Sequence, residues 1–377
     1  MNVEEWRAIY PLLSPHTHFL PSSALQAPIA PSLAAPTFPA RWPAGLDFED
    51  TFTFYRNQPR YQEHLPPHPD RDYVVDSLLD AKRMVVLAGA GISVDAGIPS
   101  FRGPGGLLNQ KNEAHSVFDI QSLSDRTKME GHFRAMGTLA ETCMSAQSTL
   151  FHVLLAVLGG LGCLKRLYSM NIDGLETRFH ALRTCFPIPA KYSELPVTIC
   201  LHGNLQTAVC GLCKRRKELV PEVYTKLDMT KIQCRECVSD RLHARSRRIQ
   251  TTSTAGIGVL RPDVVLYNEP VDLEDSNVVN TTKAVQNDLS DWDVFLVVGT
   301  SASRQVYSLQ ARIKQIALSK KPGRSAKVIW LGLENPPQSL LPFLDHILIE
   351  DCQIVAKQFF HAGGADRVDT FLSSLRA

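Results

Sequence analysis

The amino-acid sequence predicts an α/β fold, in which a doubly wound parallel sheet carries a small zinc-binding insert. Short apolar segments alternate with helical patterns along most of the chain. The first apolar segment, residues 84–88, runs directly into a glycine-rich stretch at residues 89–103. Two Cys-x2-Cys pairs interrupt the alternation. Together these observations indicate a Rossmann-like domain with an inserted metal module.

Residues 1–69 differ in composition from the rest of the chain. Proline and alanine recur there without a helical or strand period, so we predict a Pro/Ala-rich, largely disordered arm. The arm lacks a basic segment followed by an apolar core, which excludes a signal peptide. Apolar residues at helical spacing over 72–83 predict a helix that leads into the first strand. We therefore place the globular domain at residues 70–362 and a C-terminal helix or tail at residues 363–377.

Five more strands are predicted from short segments rich in apolar and β-branched residues. They are residues 164–169, 197–201, 294–298, 327–331 and 346–349. Helical patterns lie between most of them, which favours parallel neighbours. The large lobe is expected to comprise residues 70–205 and 256–362, with the zinc-binding insert at about residues 206–255.

The glycine-rich stretch has the features of a phosphate-binding turn, because glycine lets backbone N–H groups approach an anion without a Cβ in the way. A P-loop is excluded because no lysine lies between Arg83 and Lys111. The dinucleotide fingerprint would need a glycine at position 94, which is valine here. A ligand-free turn remains an alternative for this pattern alone. The candidate ligand contacts are Gly89, Ala90, Gly91, Ile92, Ser93, Gly97, Ile98, Pro99, Phe101 and Arg102.

Polar side chains follow the ends of the other predicted strands. Ligands of open parallel sheets bind beyond the carboxyl ends of the strands, and these side chains suit ribose hydroxyls and a carboxamide. His202 lies between an apolar strand and a glycine at this edge, which favours a catalytic role over a surface or core histidine. The candidates at this edge are Met170, Asn171, Ile172, Asp173, His202, Gly299, Thr300, Ser301 and Asn335.

Four of the nine cysteines form two Cys-x2-Cys pairs, separated by residues 214–233. This spacing fits a tetrahedral zinc site of four thiolates. Because sulfur fills every coordination position, we expect a structural zinc rather than a catalytic one. Two disulfides or free thiols are the alternative, and the lack of a secretory signal disfavours them. The four ligands are Cys210, Cys213, Cys234 and Cys237.

Composition restricts the functional classes. With 377 residues, 44% of them hydrophobic, the chain can bury a sizeable core. The net charge of +2 gives no global argument for nucleic-acid binding. No apolar run is long enough to span a membrane, so we expect a soluble, intracellular protein without a membrane partner. Basic residues 214–217 and the arginines at 241–248 leave nucleic-acid binding by the zinc module open, although a solvated basic face is the ordinary interpretation.

In their order along residues 70–360, these motifs resemble the sirtuin family. Residues 151–152, 167–168, 261–267 and 351–353 are most similar to its fungal, nuclear, histone-directed branch. The motifs that carry the resemblance are residues 89–102, 171–174, 201–203, the paired cysteines, 258–265, 299–301 and 351–352.

The resemblance implies NAD-dependent removal of an acetyl group from lysine, with NAD as co-substrate and zinc as structural metal. In the family, the acyl oxygen attacks C1′ of the nicotinamide ribose as nicotinamide leaves. A histidine then activates a ribose hydroxyl, and O-acetyl-ADP-ribose is formed. The matching residues here are His202 as the base, with Asn171 and Asp173 at the ribose and carboxamide. The resemblance also implies an acetylated protein, namely a histone, as partner, association with chromatin and a nuclear location.

Further roles follow from the same resemblance. Phe101 is expected to shield the reacting ribose face, and Arg102 to hold the loop or the phosphates. The backbone around Cys352 is expected to contact the adenine. The substrate peptide would pair as an added strand with a four-residue segment. This segment consists of Val264, Val265, Leu266 and Tyr267.

Four positions depart from the family pattern. Met170 replaces a glutamine, Ser100 an aspartate and Asn268 a glycine, and Glu334 precedes Asn335. Loss of one ribose hydrogen bond at Met170 would typically cost ~1 kcal/mol, so we predict weakened or specialised NAD handling. Two other functions remain open. They are an NAD-binding or chromatin-binding pseudoenzyme without turnover, and a mono-ADP-ribosyltransferase.

Overall fold

The computed structural model describes most of the chain. Phe101 and Arg102, two of the predicted cofactor contacts, lie outside it, as do residues 1–47 of the predicted arm. The described residues are 48–99, 117–186, 188–246, 258–270, 275–288, 291–302, 307–320 and 325–376.

Strands and helices of the described residues are numbered in chain order. The strands are β1 (Met84–Ala88), β2 (Leu164–Ser169), β3 (Thr198–Cys200), β4 (Gly203–Cys210), β5 (Arg216–Glu218), β6 (Leu260–Val264), β7 (Val294–Val298), β8 (Lys327–Gly332) and β9 (His346–Ile349). The helices are α1 (Phe48–Arg56), α2 (Pro59–Gln62), α3 (Pro69–Asp80), α4 (Arg126–Ser145), α5 (Leu150–Gly160), α6 (Pro221–Thr225), α7 (Met229–Ile232), α8 (Arg235–Ser246), α9 (Ser276–Asp288), α10 (Tyr307–Leu318), α11 (Cys352–Phe359) and α12 (Ala365–Arg376). Within the described ranges, no single helix is long and apolar enough to cross a membrane, and α4 with α5 meets the length and composition criteria only as a pair bent by 71°.

The larger sheet has six parallel strands in the order β3-β2-β1-β7-β8-β9. The chain moves outward from β1 to β3, returns to β7 on the other side of β1, and moves outward again to β9. The strand order therefore reverses between β1 and β7, which is where open α/β sheets bind ligands. The predicted doubly wound parallel sheet is confirmed.

Helices cover both faces of this sheet, and together they form the large lobe. One face packs against α1, α3, α5 and α11 through a cluster that includes Val74, Leu154 and Val355. The other face packs against α9 and α10 through Val285 and Ile313. Every residue of β1 and β7 is buried, as expected for central strands that are covered on both sides.

The packed domain begins before the predicted boundary at residue 70, because α1 and α2 precede it. Phe52, Tyr55 and Tyr61 are buried in the core of the large lobe. The Phe52 and Phe360 ring centroids lie 4.9 Å apart. These aromatic side chains bury a large apolar area, which the average composition of a proline-rich segment does not reveal.

The smaller sheet is antiparallel, in the order β5-β4-β6, and it forms the small lobe with α6, α7 and α8. Helix α4 also belongs to this lobe, since Phe133 and Met136 are buried with Tyr224 and Leu260. The boundaries predicted from the sequence place α4 in the large lobe, within residues 70–205. The small lobe instead draws on two separate chain segments. The helical period of α4 shows that one of its faces is apolar, but not which lobe this face contacts.

A buried carboxylate joins α9 to the large sheet. Asp288 accepts hydrogen bonds from Arg166 Nε at 2.7 Å, the Tyr168 hydroxyl at 2.6 Å and the Tyr192 hydroxyl at 2.5 Å. Replacing Asp288 with alanine should lower the free energy of unfolding by about 3–5 kcal/mol, because the buried Arg166 charge would lose its partner. Chemical denaturation measures this loss. Glu194→Ala removes an exposed ion pair and is the control, with an expected loss of at most about 1 kcal/mol. Equal losses in the two variants would contradict the prediction.

Candidate active site

Backbone pairing continues past the strand ends at the carboxyl edge of the large sheet. The Gly89 N–H donates to the Val298 carbonyl at 2.9 Å, and the Met170 N–H donates to the Ala88 carbonyl at 2.9 Å. The Leu201 N–H donates to the carbonyl of residue 169 at 2.7 Å. The loops that follow β1, β2, β3 and β7 therefore lie side by side. This arrangement brings the polar residues predicted at separate strand ends to one edge.

The glycine loop after β1 packs directly on the loop after β7. Residues 90–96 form a single 3-10 helix. A Cβ on Gly89 would lie 2.7 Å from the Gly299 carbonyl oxygen, and a Cβ on Gly91 would lie 2.7 Å from Gly299 Cα. Gly299 has a φ of +63°, in the left-handed region that favours glycine. Only glycines allow the two loops to approach this closely at the point where the strand order reverses.

The N-cap residue of α5 and two side chains of α11 hold the glycine loop in place. The Ile92 carbonyl accepts hydrogen bonds from Thr149 Oγ1 at 2.8 Å and from Gln353 Nε2 at 3.2 Å. The Cys352 thiol is buried, and its sulfur lies 3.9 Å from the Gly91 carbonyl oxygen. Thr149 and Gln353 are absent from the predicted site. The sequence could have indicated Gln353 as a site residue, because it directly follows Cys352. Thr149 has only the sequence pattern of a helix N-cap, which does not indicate a site.

Asn171 and Asp173 form a buried polar wall beside the same loop. Asn171 Nδ2 donates to Ser93 Oγ at 3.3 Å. The Leu175 N–H donates to Asp173 Oδ1 at 2.9 Å. Burial raises the pKa of Asp173, and hydrogen bonds from the Leu175 N–H and the Ser93 hydroxyl offset part of this rise. The wall thus offers an amide and a carboxyl group to a ligand at the strand edge.

His202 is oriented by the backbone of the neighbouring loop. Its Nδ1 lies 3.1 Å from the Met170 carbonyl oxygen. A carbonyl oxygen can only accept, so Nδ1 carries the hydrogen and Nε2 is the basic ring nitrogen. The His202 carbonyl in turn accepts a hydrogen bond from the Val265 N–H at 3.0 Å. The histidine therefore connects the strand edge of the large lobe to the predicted substrate segment.

The predicted substrate segment, residues 264–267, is anchored in the small lobe. The Val264 and Leu266 side chains are buried in its core. The Tyr267 N–H donates to the Phe118 carbonyl at 2.7 Å. Val265 is the most exposed residue of this segment, at 36%. The segment is thus a core element with one exposed apolar residue, whose backbone N–H is bonded to the His202 carbonyl.

The four cysteines of the two Cys-x2-Cys pairs come together in the small lobe. Their sulfurs lie within 4.8 Å of one another. Cys210 and Cys237 sulfurs are 3.7 Å apart, and those of Cys213 and Cys234 are 3.6 Å apart. A tetrahedral zinc site with Zn–S bonds of about 2.3 Å requires S–S distances of about 3.8 Å. None of the four forms a disulfide. The geometry therefore fits a zinc ion held by four thiolates.

Several predicted contacts are not part of the cluster described above. Ile98 and Ile172 pack in the core of the small lobe. Gly97 is exposed and ends the 3-10 helix with a φ of +80°. Asn335 is exposed on the loop after β8, and only its position at the sheet edge relates it to the site. Thr300 does reach the site, because its Cβ would lie 2.9 Å from a Cβ added to Gly89.

Comparisons with known proteins identify the family. Residues 89–308 match the model of the Sir2 family. Two relatives are named NAD-dependent protein deacetylase hst4: that of Emericella nidulans is 30% identical over 306 residues, and that of Schizosaccharomyces pombe is 32% identical over 298 residues. The NAD-dependent histone deacetylase HST4 of Saccharomyces cerevisiae is 32% identical over 300 residues.

These alignments cover 79%, 77% and 76% of this chain, and 49%, 68% and 78% of the three relatives. The chain thus spans about half the length of the Emericella nidulans protein. A Sir2 homologue solved in complex with NAD has a TM-score of 0.55 and 23% identity, with 82% of this chain and 100% of that chain covered. At this identity the likeness shows a shared fold. The family match and the relatives together show that the chain belongs to the Sir2 family.

Proposed function

We propose that this chain is an NAD-dependent protein lysine deacetylase, which converts acetyl-lysine and NAD to lysine, nicotinamide and O-acetyl-ADP-ribose. The observation that carries the proposal is the orientation of His202, whose Nδ1 is held by the Met170 carbonyl beside the Asn171 and Asp173 wall. Relatives named NAD-dependent deacetylases support the same activity.

The NAD contacts follow from the loops at the reversal of strand order. We place the pyrophosphate against the backbone of residues 89–93. At Gly89 and Gly91 no Cβ covers the backbone of this loop, so an anion can approach it closely. The adenosine would lie toward Thr300, Ser301, Asn335 and the backbone of Cys352. When bound, NAD supplies an electrophilic ribose carbon with nicotinamide as leaving group.

The polar wall and the histidine have separate tasks in this reaction. Asn171 and Asp173 hold the nicotinamide ribose and carboxamide, since an amide and a carboxyl group together can both donate and accept hydrogen bonds. His202 accepts a proton from a ribose hydroxyl at Nε2, while Nδ1 stays bonded to the Met170 carbonyl. The four cysteines hold a structural zinc and take no part in the chemistry.

We propose that the substrate is an acetylated protein, namely a histone. Val265 lies next to His202 and would contact the peptide from the small lobe. Main-chain pairing gives affinity with little sequence preference, so the segment does not define the target lysine. A histone substrate implies a nuclear location and association with chromatin. Direct nucleic-acid binding through the basic face of the zinc module stays a prediction, and residues 247–248 of that face lie outside the described residues.

Met170 favours one competing function, an NAD-binding protein without turnover. Its side chain packs against the core of the large lobe. An apolar side chain at this position offers the ribose no hydrogen bond, and this is the basis of the predicted weaker NAD handling, which stays a prediction.

The direct test is to incubate the purified chain with an acetylated histone H3 peptide, with and without NAD, and to analyse peptide and nucleotide by mass spectrometry. NAD-dependent loss of acetyl with formation of O-acetyl-ADP-ribose is the expected result. ADP-ribose attached to a protein would instead indicate a mono-ADP-ribosyltransferase. An unchanged peptide despite measurable NAD binding, for a panel of acylated histone peptides, would refute the proposal and favour the binding protein.

Replacing Gly91 with alanine should weaken NAD binding by at least about tenfold. The added Cβ would meet Gly299 Cα at 2.7 Å, so the two loops would have to separate at the predicted pyrophosphate site. Isothermal titration calorimetry measures the affinity. Gly131→Ala is the matched control, because nothing lies within 4 Å of a Cβ at this helical glycine. Unchanged NAD affinity in Gly91→Ala would show that the nucleotide binds elsewhere.

A further inference from the structure

A second buried carboxyl group lies three residues after Asp173. Glu176 is 0% exposed, and neither of its carboxyl oxygens has a hydrogen-bond partner among the described residues. The nearby Arg178 donates instead to three backbone carbonyls. These carbonyls belong to Cys143, Met144 and Ala146. A fully buried carboxylate without hydrogen bonds is strongly disfavoured, so its neutral form is the stable one.

The groups around Glu176 also favour its protonated, neutral form. Burial, followed by repulsion from Asp173, raises the pKa of Glu176 to about 8, and the Ser169 hydroxyl and Arg178 offset only part of the rise. Burial also raises the pKa of the two neighbouring thiols, which therefore stay uncharged. Asp173 and Glu176 thus share the single positive charge of Arg178, which can balance the negative charge of only one of them. The titratable or charged groups that face Glu176 are Asp173, Arg178, Cys143 and Cys200.

The two carboxyl groups differ in their hydrogen-bond donors. Asp173 accepts the Leu175 N–H at 2.9 Å, and the Ser93 hydroxyl also lowers its pKa. Both contacts favour the ionised form of Asp173. Glu176 has no backbone donor comparable to Leu175, since neither of its oxygens meets the geometry of a hydrogen bond among the described residues, and the nearby Ser169 hydroxyl only partly lowers its pKa. Two interacting carboxyl groups in a desolvated site titrate as a pair and can share a single proton, which resides on the member with the weaker hydrogen-bond donors.

We propose that Glu176 is a protonated positioning residue, which keeps the single negative charge of the pair on Asp173 so that this carboxylate can accept a hydrogen bond from the nicotinamide ribose. The inference rests on the assignment of Asp173 to the ribose in the proposed function. Glu176 acts through Asp173 and does not touch the ligand. Loss of its proton would place a second negative charge against Asp173 and disturb the ribose-binding wall.

The first experiment measures NAD affinity by titration calorimetry at pH of about 7 and about 9 for three proteins: the wild type, E176Q and E194Q. Glutamine has the size of the protonated acid but cannot ionise. The wild type and E194Q, the exposed control, should lose at least about fivefold in affinity between the two pH values. E176Q should bind as tightly as wild type at the lower pH and lose less than about twofold. The same pH dependence in E176Q and wild type would overturn the inference.

The second experiment needs no ligand. A folded pKa above the unfolded value of about 4.3 means that the stability contributed by Glu176 is fully present below pH of about 4 and is lost as the pH rises to about 8. The wild type and E194Q should therefore lose stability relative to E176Q over this range, as measured by chemical denaturation. Parallel curves for E176Q and wild type would overturn the inference. If no variant binds NAD, the proposed function fails, and this measurement still decides the protonation state of Glu176.

A third measurement covers the case in which E176Q does not fold. Infrared spectroscopy of the wild type should show a buried carboxylic-acid carbonyl band at pH of about 7 that disappears by pH of about 9.5. Wild-type protein without such a band at neutral pH would contradict a protonated Glu176.

Discussion

Replacing His202 with alanine should lower the deacetylation rate by about 10²–10⁴-fold, the usual contribution of a positioned general base. The Met170 carbonyl fixes the hydrogen on Nδ1 and makes Nε2 the basic nitrogen. Alanine removes this nitrogen but leaves Asn171 and Asp173 in place. NAD affinity should therefore change by less than about threefold. Mass spectrometry of the peptide gives the rate, and calorimetry gives the affinity.

Two further variants separate the loss of a base from the loss of a structural contact. Asparagine at position 202 keeps an N–H donor for the Met170 carbonyl but has no basic nitrogen, so His202→Asn should lose as much activity as His202→Ala. His180 is exposed on a turn after β2, and His180→Ala should keep the rate within about twofold. A rate close to wild type in His202→Asn would show that the histidine positions the loop and does not transfer a proton.

That the candidate active-site residues lie at one edge of the sheet could be predicted, and the reason is geometric. Parallel neighbours place the residues after each strand on the same side of the sheet. The rule needs only the strand ends and no knowledge of side-chain packing. Gly89, Asn171, Asp173 and His202 were therefore placed at one edge although they come from three separate loops. The cysteine spacing likewise predicts the four-sulfur cluster, because each Cys-x2-Cys turn supplies two ligands locally.

The features that the sequence did not reveal depend on contacts between distant residues. The tautomer of His202 is determined by the carbonyl of Met170, 32 residues earlier in the chain. Glu176 is fully buried near Cys143 of α4 and Cys200 of β3, and its sequence context gives no sign of this. The assignment of α4 to the small lobe also required a long-range contact, between Phe133 and Tyr224. Local periodicity predicts that a face is buried, but it does not identify the partner.

The structure links the metal centre to the candidate base through a single strand. β4 begins at Gly203, directly after His202, and ends at Cys210, the first cysteine of the cluster. A Cβ on Gly203 would lie 1.9 Å from the Asp263 carbonyl oxygen, and its φ is +75°. Only glycine therefore fits at the start of this strand. β4 bulges between Asn204 and Ala208, so that Gly203 pairs with Val264 and Cys210 with Leu260. The cysteine cluster and His202 therefore lie near opposite ends of the five-residue β6 and share the single strand β4.

Removal of zinc should abolish deacetylation while the large lobe stays folded. Three of the four cysteines are buried in the core of the small lobe, and the metal-binding free energy of such modules, about 10–16 kcal/mol, is folding free energy. Without the metal, β4 should lose its anchor at Cys210, and with it the backbone that joins His202 to Val265. Activity should fall by at least about 10²-fold in step with the zinc released by a chelator.

Hydrogen exchange should separate the two lobes in the zinc-free protein. Amides of β4 and β6 should lose protection, whereas those of β1 and β7, which are fully buried in the large sheet, should keep it. Cys213→Ser should have the same effect without a chelator, because it removes one of the four thiolates. Cys163→Ser is the matched control, since this partly buried cysteine is outside the cluster and should retain both zinc and activity. Full activity after complete removal of zinc would show that β4 keeps His202 in place without its metal anchor.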